Sequence, residues 1–349
     1  MPVAPHHPGG RWARRDLLRL GLGLGAGVGA APLLAGCSTS PTVQPPPGGA
    51  TSARTAPPSA SPAPAPTVPA AATAEQSLSA LAAAVLAGPH RKDLAGAQRT
   101  LLTFLRDAHA DHAVALAGDD PSSRPTTSAP SPSAHAPDLR GQSLSASLKR
   151  LAQAESRQAS AQRRAATTAS GLDALLAGSL AVAAETYAAA LSASKAPPVG
   201  RLRAHRPAPL LTDVAATSQL VAQLHAVVYG YQLAIGKLKY ASGARRRAVS
   251  ELAAARTLLD TEIAFLLSRK ADVPAAEPAY APTAGVRSAG DAIRLVRGMQ
   301  YRLGPFVGLT LAAAATPKER TAALTQLRST VRTAGAWGAG LQAWPGWPD

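Results

Sequence analysis

Residues Thr212–Leu238 read TDVAATSQLVAQLHAVVYGYQLAIGKL. Within them Leu220, Leu224, Val227, Tyr231, Ile235 and Leu238 recur at intervals of 4, 3, 4, 4 and 3. That is one apolar stripe along a long helix, and it does not fit the two-residue alternation of a half-buried strand. Thr212 or Asp213 supplies the N-cap, and Gly243 marks a turn. Leu252, Leu259, Ile263 and Leu266 then predict a second helix. Val273 to Gly285 reads as a Pro-bearing crossover loop. Ile293, Val296, Met299, Leu303 and Val307 predict a third helix, kinked at Gly304-Pro305. Thr316-Pro317-Lys318-Glu319 opens a fourth, with a Thr cap and Pro at the first helical position, and Leu324, Leu327 and Val331 follow. Four antiparallel helices over 209–341 with one long middle connection form a bundle.

Upstream, a second helical block spans 74–195. Glu75-Gln76-Ser77-Leu78 opens a Leu/Ala segment that ends near Gly88-Pro89, and Asp93 to Leu116 continues it. Residues 119–137 read as a disordered insert. Ser143 to Ser194 is nearly all helix-former, with a break at Gly171 and a stop at Pro197-Pro198. Composition agrees with an all-α fold. Aromatics make up only 4% of the 349 residues, so the aromatic and β-branched signature of strands is missing. A single Cys excludes an internal disulfide, a thiolate zinc site and an iron–sulfur cluster.

The N-terminus reads as an address. Arg14-Arg15 followed by Asp16-Leu17-Leu18 is a twin-arginine export pattern, and the apolar run that follows is too short to span a membrane. Leu34-Ala35-Gly36-Cys37 matches the bacterial lipobox, with the only Cys of the chain at the acylation position. The expected organisation is a signal peptide over 1–36 and a Pro/Ala/Ser/Thr-rich disordered tether over 37–73. The two helical blocks follow, and a Trp/Pro tail over 342–349 folds over the bundle end. The mature protein is expected on the outer face of the cytoplasmic membrane, held by its lipid.

Four pieces of the second block carry a resemblance: Leu224-His225-Ala226-Val227-Val228-Tyr229-Gly230-Tyr231; Ala244-Arg245-Arg246-Arg247-Ala248; Ala279-Tyr280-Ala281-Pro282; and Val331-Arg332 through Trp337 to Trp344-Pro345-Gly346. Together they resemble an actinobacterial ferritin-like domain of unknown function found in exported proteins and lipoproteins. The resemblance implies a ferritin-like bundle. Where the family pattern has Glu-His, this chain has Leu224-His225. Ser242 and Arg247 stand in the slots that flank its Arg pair, and Gln300 stands in a third-helix acidic slot. A di-iron bundle needs about four carboxylates and two His with Glu-x-x-His on two helices, and this chain has no Glu-x-x-His.

Two places concentrate ligand-type side chains. Asp107-Ala108-His109-Ala110-Asp111-His112 pairs His109 with His112 and Asp107 with Asp111 on shared helix faces, with Glu155 and Glu185 on later helices able to join. His225 and Tyr229 lie one turn apart beside the second block's stripe. Glu251, Asp260 and Glu262 read as surface or ion-pair residues. Arg245, Arg246 and Arg247 are candidate anion contacts, and the net charge of +16 points to anionic surroundings. Ser192-x-x-Lys195 lacks the companion motifs of the penicillin-binding enzymes.

The favoured reading is a non-enzymatic binding or structural module with no cofactor. Iron or manganese enters only if the bundle is a metal-binding or oxidative protein with an atypical site. A third reading is a binder of anionic envelope polymers or lipid headgroups. Expected partners are the cytoplasmic membrane and an envelope protein or anionic polymer, and not nucleic acid.

Overall fold

A computed structural model describes residues 70–118, 138–203, 205–282 and 284–348. The leader with Arg14 and Arg15, the lipobox Cys37, most of the tether and the 119–137 insert lie outside the described residues. Eight helices follow one another: α1 (Ala70–Ala87), α2 (Gly96–Ala117), α3 (Leu144–Thr168), α4 (Gly171–Ser192), α5 (Asp213–Lys237), α6 (Gly243–Ser268), α7 (Ala289–Ala313) and α8 (Pro317–Ala336). No strand occurs among the described residues; a single parallel bridge pairs Val199 with Leu341. The helical block starts at Ala70, four residues inside the stretch read as tether, because Ala70–Thr73 continue the good helix formers of α1.

Local chemistry explains most boundaries. The side chains of Ser143, Thr212, Ser242, Ser288 and Thr316 each accept a backbone N–H in the first turn of the helix they open. Asp291 and Glu319 answer Ser288 and Thr316 as reciprocal capping boxes. Between α3 and α4 the chain reverses at Gly171, whose φ of +60° a side chain would resist. Pro305 sits inside the continuous helix α7.

In the first block α1 packs on α2 and α3, and α3 on α4; in the second, α5 packs on α6 and α7, and α7 on α8. The blocks are joined, with α4 against α7 and both α3 and α4 against α8. α4 is long and apolar enough to cross a membrane, but 72% of that apolar stretch is buried inside the protein, which makes it the shared core helix. Arg320 reinforces the joint. It is 5% exposed and donates to the carbonyls of Thr167, Ala314 and Ala315, at the C-terminal ends of α3 and α7.

The segment after α8 packs against both blocks, with Gly346 on Leu327 of α8 and beside Gly304 and Gly308 of α7. Ala343, Trp344 and Trp347 belong to the hydrophobic core of the first block. Gly308 on α7 makes room for this tail, since a Cβ there would collide with the carbonyl oxygen of Gly346.

Candidate metal centre

Each helix of the first block contributes one or two polar groups to a largely apolar face. On α1, Glu75 stands in the stripe Ala72–Leu78–Ala82–Val85. On α2, His109 and His112 follow Leu101, Leu105 and Ala108. On α3, Glu155 and Gln158 follow Leu151, and on α4 Tyr187 follows a buried run that is apolar apart from Ser179. Glu75, His109, His112 and Glu155 are each no more than 1% exposed. Burying four ionisable groups together is costly unless they satisfy one another.

They do so through one carboxylate. Glu75 Oε2 lies 2.6 Å from His109 Nδ1 and 3.1 Å from His112 Nδ1. Its other oxygen accepts from Gln158 Nε2 at 2.8 Å. The outer nitrogen of each imidazole is held separately: His109 Nε2 bonds Glu155 Oε1 at 2.7 Å, and His112 Nε2 donates to the Ala343 carbonyl at 2.7 Å. Oε1 of Glu155 is thus used, while its Oε2 is buried with no hydrogen-bond partner among the described residues. One atom each from Glu75, His109 and His112 lie within 4.8 Å of one another.

The tautomers follow from this wiring. A carbonyl can only accept, so His112 carries its proton on Nε2, and a neutral ring then turns the Nδ1 lone pair toward a carboxylate oxygen. A neutral His109 that donates from Nε2 to Glu155 does the same. Acceptors would face acceptors unless a cation sits among them. Without metal a proton on His109 satisfies its 2.6 Å contact and leaves the His112 Nδ1 lone pair facing Glu75 Oε2. Burial alone would lower the His109 pKa, but the charges of Glu155 and Glu75 outweigh burial and raise it from 6.5 to about 10. Burial would raise the Glu75 carboxyl, but His109 and His112 outweigh it and hold it far below its ordinary value. Burial raises Glu155 against the pull of His109. Borderline divalent metals use this donor set, and a carboxylate or carbonyl on the outer nitrogen of a ligating His fixes its tautomer.

The tail closes the centre. Tyr187 Oη donates to the Gln342 carbonyl at 2.8 Å and Trp344 Nε1 to Asp111 Oδ2 at 2.7 Å. Trp347 Nε1 donates to the Arg206 carbonyl at 2.7 Å. The rings of Trp344 and His112 meet with centroids 4.6 Å apart.

Of the residues singled out from sequence, His109, His112 and Glu155 come together. Asp111 does not join them; one helix position away from the His pair, it faces the tail and binds Trp344. Glu185 points the other way along α4 and accepts both guanidinium donors of Arg328 on α8, at 2.6 and 2.5 Å. His225 and Tyr229 make separate contacts. His225 Nε2 donates to the Pro274 carbonyl at 3.2 Å, while Tyr229 packs on the Tyr280 ring, so both support the loop between α6 and α7. The three consecutive arginines bind backbone: Arg245 to the Ile235 carbonyl, Arg246 to that of Ala241 and Arg247 to that of Ala336. The Ile235 and Ala336 carbonyls lie in the last turns of α5 and α8, where cations are favoured, and that of Ala241 lies in the turn before α6.

Glu75 is the member of the cluster that the sequence reading did not single out. Its signal was a lone carboxylate inside a 3-4-3 apolar stripe. In the second block the half-buried Glu251 pairs with core side chains and not with an ion partner: it accepts from Tyr231 Oη at 2.9 Å and Trp337 Nε1 at 2.6 Å, while Gln300 Nε2 donates to the same tyrosine oxygen at 2.8 Å.

A comparison with curated proteins returned no match. Among solved structures, one of a conserved hypothetical protein from Mycobacterium tuberculosis is similar at 28% identity, covering 36% of this chain and 93% of that one, with a TM-score of 0.34. The second helical block, over residues 215–349, matches a domain of unknown function, DUF4439.

Proposed function

We propose that this protein is a non-enzymatic binding module of the cell envelope, and that its ligand is a divalent transition metal ion held in the first helical block. One observation carries the reading: two imidazole Nδ1 atoms converge on Glu75 Oε2 while both Nε2 atoms are pinned from outside. Glu75, His109 and His112 would hold the ion, with Glu155, Gln158 and Ala343 orienting them. Zinc, iron(II) or manganese(II) suits two imidazoles and a carboxylate. The bound ion would supply the positive charge that the cluster otherwise takes from a proton.

The second block is read as a ferritin-like bundle whose carboxylate slots have been filled by Leu224 and Gln300, and whose core polar groups close on one another through Tyr231 and Glu251. Its role is to deliver the tail that seals the first block. The Arg14-Arg15 pattern and Cys37 support export and lipid anchoring on the outer face of the cytoplasmic membrane. Cys37→Ser should abolish lipid processing and release the protein from the membrane fraction; unchanged processing and retention would end that part of the reading.

The decisive experiment measures metal content by mass spectrometry on the full mature chain from a native-like host. Near one divalent ion per chain is expected, lost in Glu75→Gln and in His112→Ala. Cobalt(II) added to chelator-stripped protein should give ligand-field bands independent of any stability change. Protein that carries no metal and takes up neither zinc nor cobalt would refute the proposal.

A further inference from the structure

The connector between α4 and α5 is strongly basic. From Lys195 to Arg206 it reads KAPPVGRLRAHR, with no carboxylate. Its arginines line a cavity of about 400 Å³ between the connector, α7 and the tail. Arg201, Arg203 and Arg206 form the charged wall, and Tyr301, Trp344 and Trp347 the aromatic one, with no acidic residue among the lining groups. The volume lies within the range of small-ligand sockets. Trp344 and Trp347 are 8% and 4% exposed, so the aromatic wall is fixed in the core. Their indole N–H groups are already donated to Asp111 and to the Arg206 carbonyl. His205 packs on both rings, so the ring edges that reach the cavity offer apolar contact and leave polar recognition to the guanidiniums.

We infer that this cavity binds a phosphate monoester that carries an apolar or aromatic body. Guanidinium forks match the tetrahedral oxygens of a phosphate, and a cluster of them suits a dianion better than a monoanion. The indole and phenol surfaces take the apolar part. The inference is independent of the metal reading, because none of the lining residues supplies a side-chain ligand to the metal centre. A free phosphate ester and a lipid phosphate share this chemistry.

The test uses the full mature protein with Trp337 replaced by Phe, so that Trp344 and Trp347 are its emitting tryptophans, and calorimetry on the unaltered protein as a second readout. Phenyl phosphate should produce a saturable change and bind at least about tenfold more tightly than inorganic phosphate or benzoate. Arg201→Ala combined with Arg206→Ala should weaken it at least about tenfold, the loss expected of charge-assisted hydrogen bonds. Both side chains are exposed, so the thermal melt should not move. Vesicles with phosphatidic acid, against neutral phosphatidylcholine vesicles, separate the sources: a response to them assigns a lipid phosphate, and a response to phenyl phosphate alone assigns a soluble ester. No saturable response to phenyl phosphate or to the anionic vesicles would overturn the inference. So would affinity unchanged in the double variant, or benzoate binding as well as phenyl phosphate.

Discussion

Raising the pH should tighten metal binding by about tenfold per unit between about pH 7 and 9, because the ion and a proton compete for the same nitrogen. In the metal-free centre His109 holds that proton, its pKa lifted from 6.5 to about 10 by Glu155 and Glu75 against the effect of burial. Glu75, held far below its ordinary value, stays ionised throughout this window. Each ion bound below about pH 10 must therefore expel the His109 Nδ1 proton, while Nε2 keeps its own for Glu155. Two pH units then amount to about a hundredfold in affinity, or about 2.7 kcal/mol. The sign for the metal-free fold is opposite. A pKa raised on folding contributes stability that is complete below 6.5 and is lost as pH rises through about 10. Metal should therefore protect most at the alkaline end. Zinc affinity measured by chelator competition at several pH values gives the slope, and calorimetry in buffers of different ionisation enthalpy counts the protons released. A flat affinity over the window with no proton released would refute the assignment of His109.

Three substitutions probe other parts of the design. Glu155→Gln removes the outer carboxylate from His109 while sparing the three ligands, and should weaken zinc binding by about 10–100-fold in the same competition assay. Gly308→Ala should unseat the tail, since its methyl group would collide with the Gly346 carbonyl. About 1–3 kcal/mol of stability should be lost, with a red shift of Trp344 and Trp347 emission as they meet water. Tyr231→Phe leaves Gln300 without its acceptor and removes one of the two donors to Glu251, and denaturant titration should show a loss of about 1–3 kcal/mol with zinc affinity unchanged.

The helices were legible because their signals are local. Thr212 and Thr316 carry the cap signals the sequence offers for α5 and α8, and Gly171 breaks α3 from α4, while the Ser242 cap of α6 shows only in the structure. The site was half legible. His109 and His112 announce themselves by spacing, but which carboxylates reach them depends on how helices far apart in sequence are rotated. Glu155 and Glu185 looked equivalent in the sequence, yet one turns inward to His109 and the other outward to Arg328. Glu75 hid because a single carboxylate at a helix start reads as a solvated end. The Ala343 carbonyl left no trace, since a backbone oxygen carries no residue identity.

His112 and the carbonyl that orients it are 231 residues apart. At a synthesis rate of about 5–20 residues per second, the second histidine waits about 10–50 s after it is made for the group that completes its surroundings. Over that interval the four helices of the first block can pair, but their buried polar cluster is still unsealed. Ordering it is thus one of the last events in the chain's folding, and a metal ion available earlier would meet a looser, more accessible set of ligands than the finished protein presents.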